Sequence, residues 1–309
     1  MTVKEVFELR KQGKLEEAYA AILPMYAVHK GKYTTLCMFW TASDILKQRL
    51  EEKRDGDAEK IFAALLRVLP SIDDSDGKAH VAILNAALRI DDASSSFSML
   101  DFIEKFGADK LTDSDWEGII SLKGHSLPST AQRILTRCFH EVQERPTAEC
   151  ALKMMPLLEE AMRRNRYNKH NRRYMAVIYR IMGEREKAAK LYRDMLSRYH
   201  DSYLYAELAE LTDDAGMKAA LYCHAIQSQR QEKFRGGYRL QLARLLVGKD
   251  DAKAAYELHK CVECRKASGY HNTREIQQLL NKTKGVAPST EAQQAEFYIK
   301  MIEKYKISN

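Results

Sequence analysis

Three glycines in the C-terminal half, Gly183, Gly216 and Gly248, stand 33 and 32 residues apart, and an alanine pair follows each one. The pairs are Ala188–Ala189, Ala219–Ala220 and Ala254–Ala255, and a large apolar or aromatic residue comes next. A period of this length means that one small supersecondary unit recurs and must cover its apolar face with its neighbours. The stretch "YMAVIYRIMGEREKAAKLYRDML" (174–196) shows what the unit is. Tyr174, Val177, Ile178 and Ile181 fall at i, i+3, i+4 and i+7, the stripe of an amphipathic helix. Gly183 suits a left-handed helix end. After it Ala188, Leu191, Tyr192 and Met195 repeat the stripe. The short connection makes the two helices antiparallel neighbours, and the alanines let helices approach closely.

The N-terminus carries the same layout in "LRKQGKLEEAYAAIL", where Gly13, Ala18 and Ile22 are spaced like Gly183, Ala188 and Tyr192. A looser copy, "RDGDAEKIFAALLRVLP" (54–70), ends in Pro70. The middle, about 89–160, is rich in Ser and Asp near its start and keeps no clean period. Helices are expected near 77–90, 95–106, 113–121 and 128–143, with Asp113 and Ser129 as caps. Pro156 in "ALKMMPLLEEAM" should kink or split its helix, and the methionines around it read as core. With 14 glycines, 6 prolines and no long run of alternating polarity, the chain reads as all-α.

This layout resembles tetratricopeptide repeats. A closer likeness covers about residues 1–280. "LYAELAELTDDAGMKAALYCHAI" followed by "YRLQLARLLVGKDDAKAAYELHK", with "CMFWTASDILKQ" and "REIQQLLNK", is similar to the helical module of poorly characterised bacterial proteins. That module is linked by gene neighbourhood to mobile-element conflict systems, and a small β-barrel-like domain often follows it, for which no counterpart is read in these residues. The resemblance implies a right-handed tetratricopeptide-like α-solenoid of antiparallel helix pairs acting as a scaffold or adaptor, and brings no catalytic residue. The expected organisation is a repeat domain over 1–285 and a helix in 286–309. In that last segment Tyr298, Met301, Ile302 and Tyr305 form one stripe. It reads as a cap on the last repeat, or else as a connector to a further domain.

Charge is uneven. Residues 1–159 hold 21 Lys/Arg against 25 Asp/Glu, and residues 160–309 hold 29 against 18, so the excess of +7 lies in the second half. "RRNRYNKHNRRY" (163–174) is the densest cluster, and "RQEKFRGGYR" (230–239) follows. Arg163, Arg166, Lys169, Arg172, Arg173, Arg235 and Arg239 are therefore the candidate partner-binding residues. They suit an acidic protein or peptide, or nucleic acid through phosphate contacts and tyrosine stacking. The plainer alternative is a solvated helix end and loop. As exposed cations, Arg166, Arg172 and Arg173 should tolerate reversal to glutamate without loss of helix.

Other candidates are weaker. Cys261 and Cys264 have CxxC spacing with His259 and His271 nearby, but no second close pair follows, so packing is expected rather than zinc. "IDDSDGKAH" (72–80) fails as a calcium loop, because Ile72 and Ile83 would fill positions that need carboxylates. No Walker loop, GxGxxG, GxSxG or HExxH occurs, so no catalytic residue, cofactor or metal is assigned. Trp40 and Trp116 read as core aromatics before ligand platforms. A charged N-terminus, no long apolar run and six scattered cysteines suit a reduced, cytoplasmic protein without a membrane span.

Overall fold

A computed structural model describes residues 1–120, 124 and 126–306. The described residues form seventeen α-helices, and the chain divides into two compact units, Met1–Arg164 and Asn165–Asn309.

The first unit begins with two helix pairs, α1 (Val3–Lys11) with α2 (Leu15–Val28) and α3 (Lys32–Glu51) with α4 (Asp55–Val68). There follow α5 (Lys78–Ala93), α6 (Met99–Phe106), a single turn α7 (Asp113–Trp116), α8 (Thr130–Glu144) and α9 (Ala148–Arg164). The second unit holds three pairs: α10 (Lys169–Ile181) with α11 (Arg185–Leu196), α12 (Ser202–Ala209) with α13 (Ala215–Ser228), and α14 (Gly236–Leu246) with α15 (Asp251–Ala267). Helices α16 (Arg274–Lys282) and α17 (Glu291–Lys304) complete it, α17 lying against α13. The fold is an all-α solenoid of helix pairs.

The alanine pairs do what their spacing implies. All six are buried where the helices meet, and Tyr192 and Leu258 beside them are fully enclosed. Each small residue shortens the distance between helix axes, so the large neighbour can fill the remaining groove. Ala188, Ala219 and Ala254 share one core with Tyr192, Tyr222 and Tyr298, so that core runs through all three pairs and includes α17.

The tight turns use one recurring device. At Gly13, Lys53 and Gly183 the residue has positive φ, and two backbone bonds close the helix end behind it. The N–H of Gly183 donates to the Arg180 carbonyl at 3.1 Å and that of Glu184 to Tyr179 at 2.8 Å. Lys53 and Arg54 repeat the pattern onto Leu50 and Arg49 at 3.2 and 2.8 Å, as do Gly13 and Lys14 onto Arg10 and Leu9. This is the Schellman closure, which calls for a left-handed residue. Only Lys53 fills that position with a side chain, at φ 58°.

Several expectations need correction. Gly216 does not turn the chain: it lies in the first turn of α13, whose cap is Asp214, accepting from the Met217 N–H at 2.8 Å. Its lack of a side chain serves another purpose, since a Cβ there would run into the Tyr305 ring. The helix expected over 113–121 is one turn, capped by Thr112 rather than Asp113. Beyond it Ile119–Ile120 pairs antiparallel with Ser126–Leu127, a minimal ribbon in a chain expected to hold no strand, and Ser121 lies outside the described residues. The expected cap Ser129 does start α8, accepting from the Gln132 N–H at 3.1 Å. Pro156 neither splits nor ends α9. The carbonyl it leaves unpaired belongs to Leu152, which is exposed, so water can take the lost bond. Within 72–80, Asp74 accepts from the N–H groups of Ala79 and His80 at 2.8 and 2.7 Å, which anchors the start of α5.

A left-handed conformation costs an L-residue about 1–2 kcal/mol, part of which glycine returns as chain entropy. Lys53→Gly should therefore stabilise the protein by about 1 kcal/mol, read as a higher urea midpoint at unchanged slope. A lower midpoint would mean that Lys53 does not hold this conformation.

Candidate partner-binding surface

A cation can recruit a partner only if the fold leaves it unpaired and in water. By that test the seven candidates separate. Arg163 lies in the last turn of α9 in the first unit and grips Glu160, with Nε to Oε2 at 2.7 Å and Nη2 to Oε1 at 2.6 Å. Together with Arg164 it holds the Glu160 carboxyl down to about 2. The other six lie in the second unit, which carries 27 Lys/Arg against 17 Asp/Glu, a net +10.

Lys169 binds Asp201 at 2.9 Å and lies over the Tyr199 ring. Arg172 reaches Asp194 at 3.3 Å with its side chain only 14% exposed. Arg173 clasps Glu207, with Nη2 to Oε1 at 2.5 Å and Nε to both oxygens, and lies over Tyr203. These bonds run from α10 to the next pair or, for Asp194, back onto α11. Arg173 and Glu207 are 34 residues apart, as are Arg10 and Asp44, which join α1 to α3 at 2.6 Å in the first unit. Repeat-length spacing thus puts a cation and a carboxylate on equivalent positions of successive first helices. The cluster read as a single surface patch is largely paired, Lys169 and Arg173 to acids of the next repeat and Arg163 and Arg172 to acids of their own helix or helix pair.

Arg235 and Arg239 are also engaged. Arg235 donates to the Gln229 carbonyl at 2.8 Å and to Glu232 at 2.6 Å. Arg239 is 5% exposed, so its expected role as a surface contact is overturned. Its guanidinium donates to Glu257 at 3.0 Å, Tyr298 at 3.2 Å and Glu232 at 2.8 Å. Glu257 is fully buried, and both Gln294 and the Tyr298 hydroxyl donate to its other oxygen. Burial holds the Glu257 carboxyl above the usual carboxylate value, with the Arg239 guanidinium opposing part of that rise. Periodicity placed Arg239 in a basic run and gave no hint of the buried acid waiting 18 residues later.

Arg166 is the candidate that stays open. It precedes α10 in an exposed turn, lies 4.6 Å from the Tyr167 ring centroid and donates to the Tyr167 hydroxyl. That bond lowers the Tyr167 pKa from the usual tyrosine value. Arg198, which the sequence reading passed over, lies over the same ring at 5.1 Å. Among the described residues neither arginine has a carboxylate within ion-pair distance. The signal for Arg198 was weak, because it sits one helix away in "SRYH" and becomes Tyr167's neighbour only through the hairpin.

The cysteine pair lies on α15 facing the start of α14. Both thiols are buried, Cys264 donates to the Glu232 carbonyl at 3.1 Å, and Gly236 leaves room for its Cβ. Burial raises Cys261 from an ordinary 9.0 to about 11. His259 and His271 are exposed. The expected core tryptophans are each only half-buried: Trp116 lies under Arg164, and Trp40 lines a cleft in the first unit. Among the described residues no helix is long and apolar enough to cross a membrane.

These features define a helical-repeat protein whose repeats are tied by charge. Residues 170–304 match a family model described as a domain of unknown function, DUF7017. A tetratricopeptide repeat protein from Parabacteroides merdae is similar over 91% of this chain and 96% of its own, at 13% identity and a TM-score of 0.36. No curated protein matches.

Two measurements check this sorting. In urea titrations Arg166→Glu should move stability by no more than about 0.5 kcal/mol, and Arg173→Glu, which faces Glu207 with a second acid, should cost about 2 kcal/mol. Arg239→Met, which strands a buried carboxylate, should cost about 3–5 kcal/mol. The thiols provide the second check. Between 9.0 and about 11 the unfolded chain loses its Cys261 proton while the folded one keeps it, so stability falls as pH rises through that window. At neutral pH, Cys261 and Cys264 should react with Ellman's reagent only after denaturant is added, and rapid native reaction of either would show that it is not enclosed.

Proposed function

We propose that the chain is a non-catalytic scaffold whose second unit presents a helical-repeat surface to an acidic protein or peptide. The observation that carries this is the Arg166–Tyr167–Arg198 cluster, exposed and without carboxylate partners in a unit of net charge +10. Long-range attraction from that charge draws an anionic partner in, and the two guanidinium forks then pair with carboxylates. Tyr167 holds both forks in place, which reduces the ordering that binding would otherwise require. Repeat proteins use extended surfaces of this kind for recognition. The sequence resemblance extends the proposal to a bacterial, cytoplasmic setting within a mobile-element conflict system.

Nucleic acid is the second reading, favoured by the exposed tyrosine among arginines. Tyr167 already carries two guanidinium groups over its ring, which leaves less of it for a base and favours the peptide. A labelled glutamate-rich peptide and a labelled single-stranded RNA separate the two in anisotropy titrations. The peptide should bind, weaken with added salt, and lose about tenfold in affinity in the Arg166→Glu/Arg198→Glu variant, with helicity intact. RNA binding tighter than the peptide's would favour the second reading, and failure of both probes would remove the proposal.

A further inference from the structure

The first unit has a different kind of cleft. It holds 23 Lys/Arg against 26 Asp/Glu, a net −3, and most of its arginines are paired. Arg10 binds Asp44, Arg49 binds Glu16 and Glu52, Arg54 binds Asp57, and Arg137 binds Asp91 and Asp92. Arg89 on α5 and Arg133 on α8 are exposed, and among the described residues neither has a carboxylate within ion-pair distance. Both line one cleft of about 510 Å³ between α3, α5 and α8. Lys47 joins them, and its only acid, Asp44 at 3.5 Å, is already held by Arg10 at 2.6 Å. Among the described residues no carboxylate lines the cleft. Arg133 lies in the first turn of α8, where the helix dipole repels a cation, so its position is unfavourable until an anion arrives.

The rest of the lining is largely apolar. Trp40, edge-on to Phe39 at a centroid distance of 5.1 Å, lines the cleft one to two helical turns along α3 from Lys47, together with Leu46, Ala82 and Ala86. Ser43 and Asn85 add hydrogen-bonding groups. The volume falls within the range of about 300–1,000 Å³ usual for small-molecule sites. We propose that this cleft binds a phosphorylated ligand with a planar ring, of the mononucleotide class. The phosphate pairs with the Arg89 and Arg133 forks and with Lys47, and the ring lies against Trp40. An acidic peptide would use the cations and leave Trp40 idle.

The chain has two tryptophans, so Trp116→Phe leaves Trp40 as the only one. Fluorescence of that protein is titrated with AMP, ADP, adenosine, inorganic phosphate and a glutamate-rich peptide, and calorimetry on the same samples reads any binding that leaves the emission unchanged. AMP or ADP should saturate, with adenosine and phosphate each about tenfold weaker or worse. Arg89→Gln with Arg133→Gln should weaken AMP about tenfold or more at unchanged helicity. The proposal is overturned if no nucleotide saturates by about 10 mM, if adenosine or the peptide binds as well as AMP, or if the arginine variant binds AMP unchanged.

Discussion

No helix pair in this protein can bury its own apolar face, and the rest of the structure follows from that. Each pair presents a stripe that only the next pair can cover, so stability resides in the contacts between pairs. The alanine doublets set how closely those contacts are made, and the aromatic beside each one fills what remains. Salt links 34 residues long, Arg10 to Asp44 and Arg173 to Glu207, then fix the offset of one first helix on the next. Apolar stripes alone would tolerate sliding. The bidentate Arg173–Glu207 pair does not, because its geometry is satisfied at one register.

This explains which parts of the fold were legible. Gly183, Ala188 and Tyr192 reveal a hairpin because local backbone and local packing demand the same residues. Lys53 hides a turn of the same type, since the closing bonds belong to the backbone and a side chain is tolerated at some cost. Gly216 falls in register with the turn glycines for an unrelated reason, the ring of Tyr305, which lies 89 residues further on and which no period reveals. Around 113–127 a capped start, "TDSDW", suggested a full helix, and one turn with a short ribbon forms instead.

The candidate surface was legible as a composition and opaque as an arrangement. A run of arginines reads the same whether its members face water or face acids on the next helix. Glu207, Asp201 and Asp194 lie a helix or more away, and nothing local marks them as partners. What distinguishes Arg166 and Arg198 from Arg173 and Arg239 is a matter of topology. The same holds in the first unit, where Arg89 and Arg133 stand out because most of the other arginines there are paired.

The network around Glu257 has a consequence for the order in which this protein is made. Ribosomal synthesis places Arg239 and Glu257 in the growing chain well before Gln294 and Tyr298 emerge. Until α17 arrives, the acid holds its arginine with one oxygen while the other lacks both of its donors. A buried carboxylate half-satisfied in this way disfavours the closed packing of α14 on α15. The α14–α15 pair therefore does not reach its closed packing as soon as its two helices leave the ribosome. The second unit's last residues to be translated complete the interior of the ones translated before them, and folding of α14, α15 and α17 becomes a single late event.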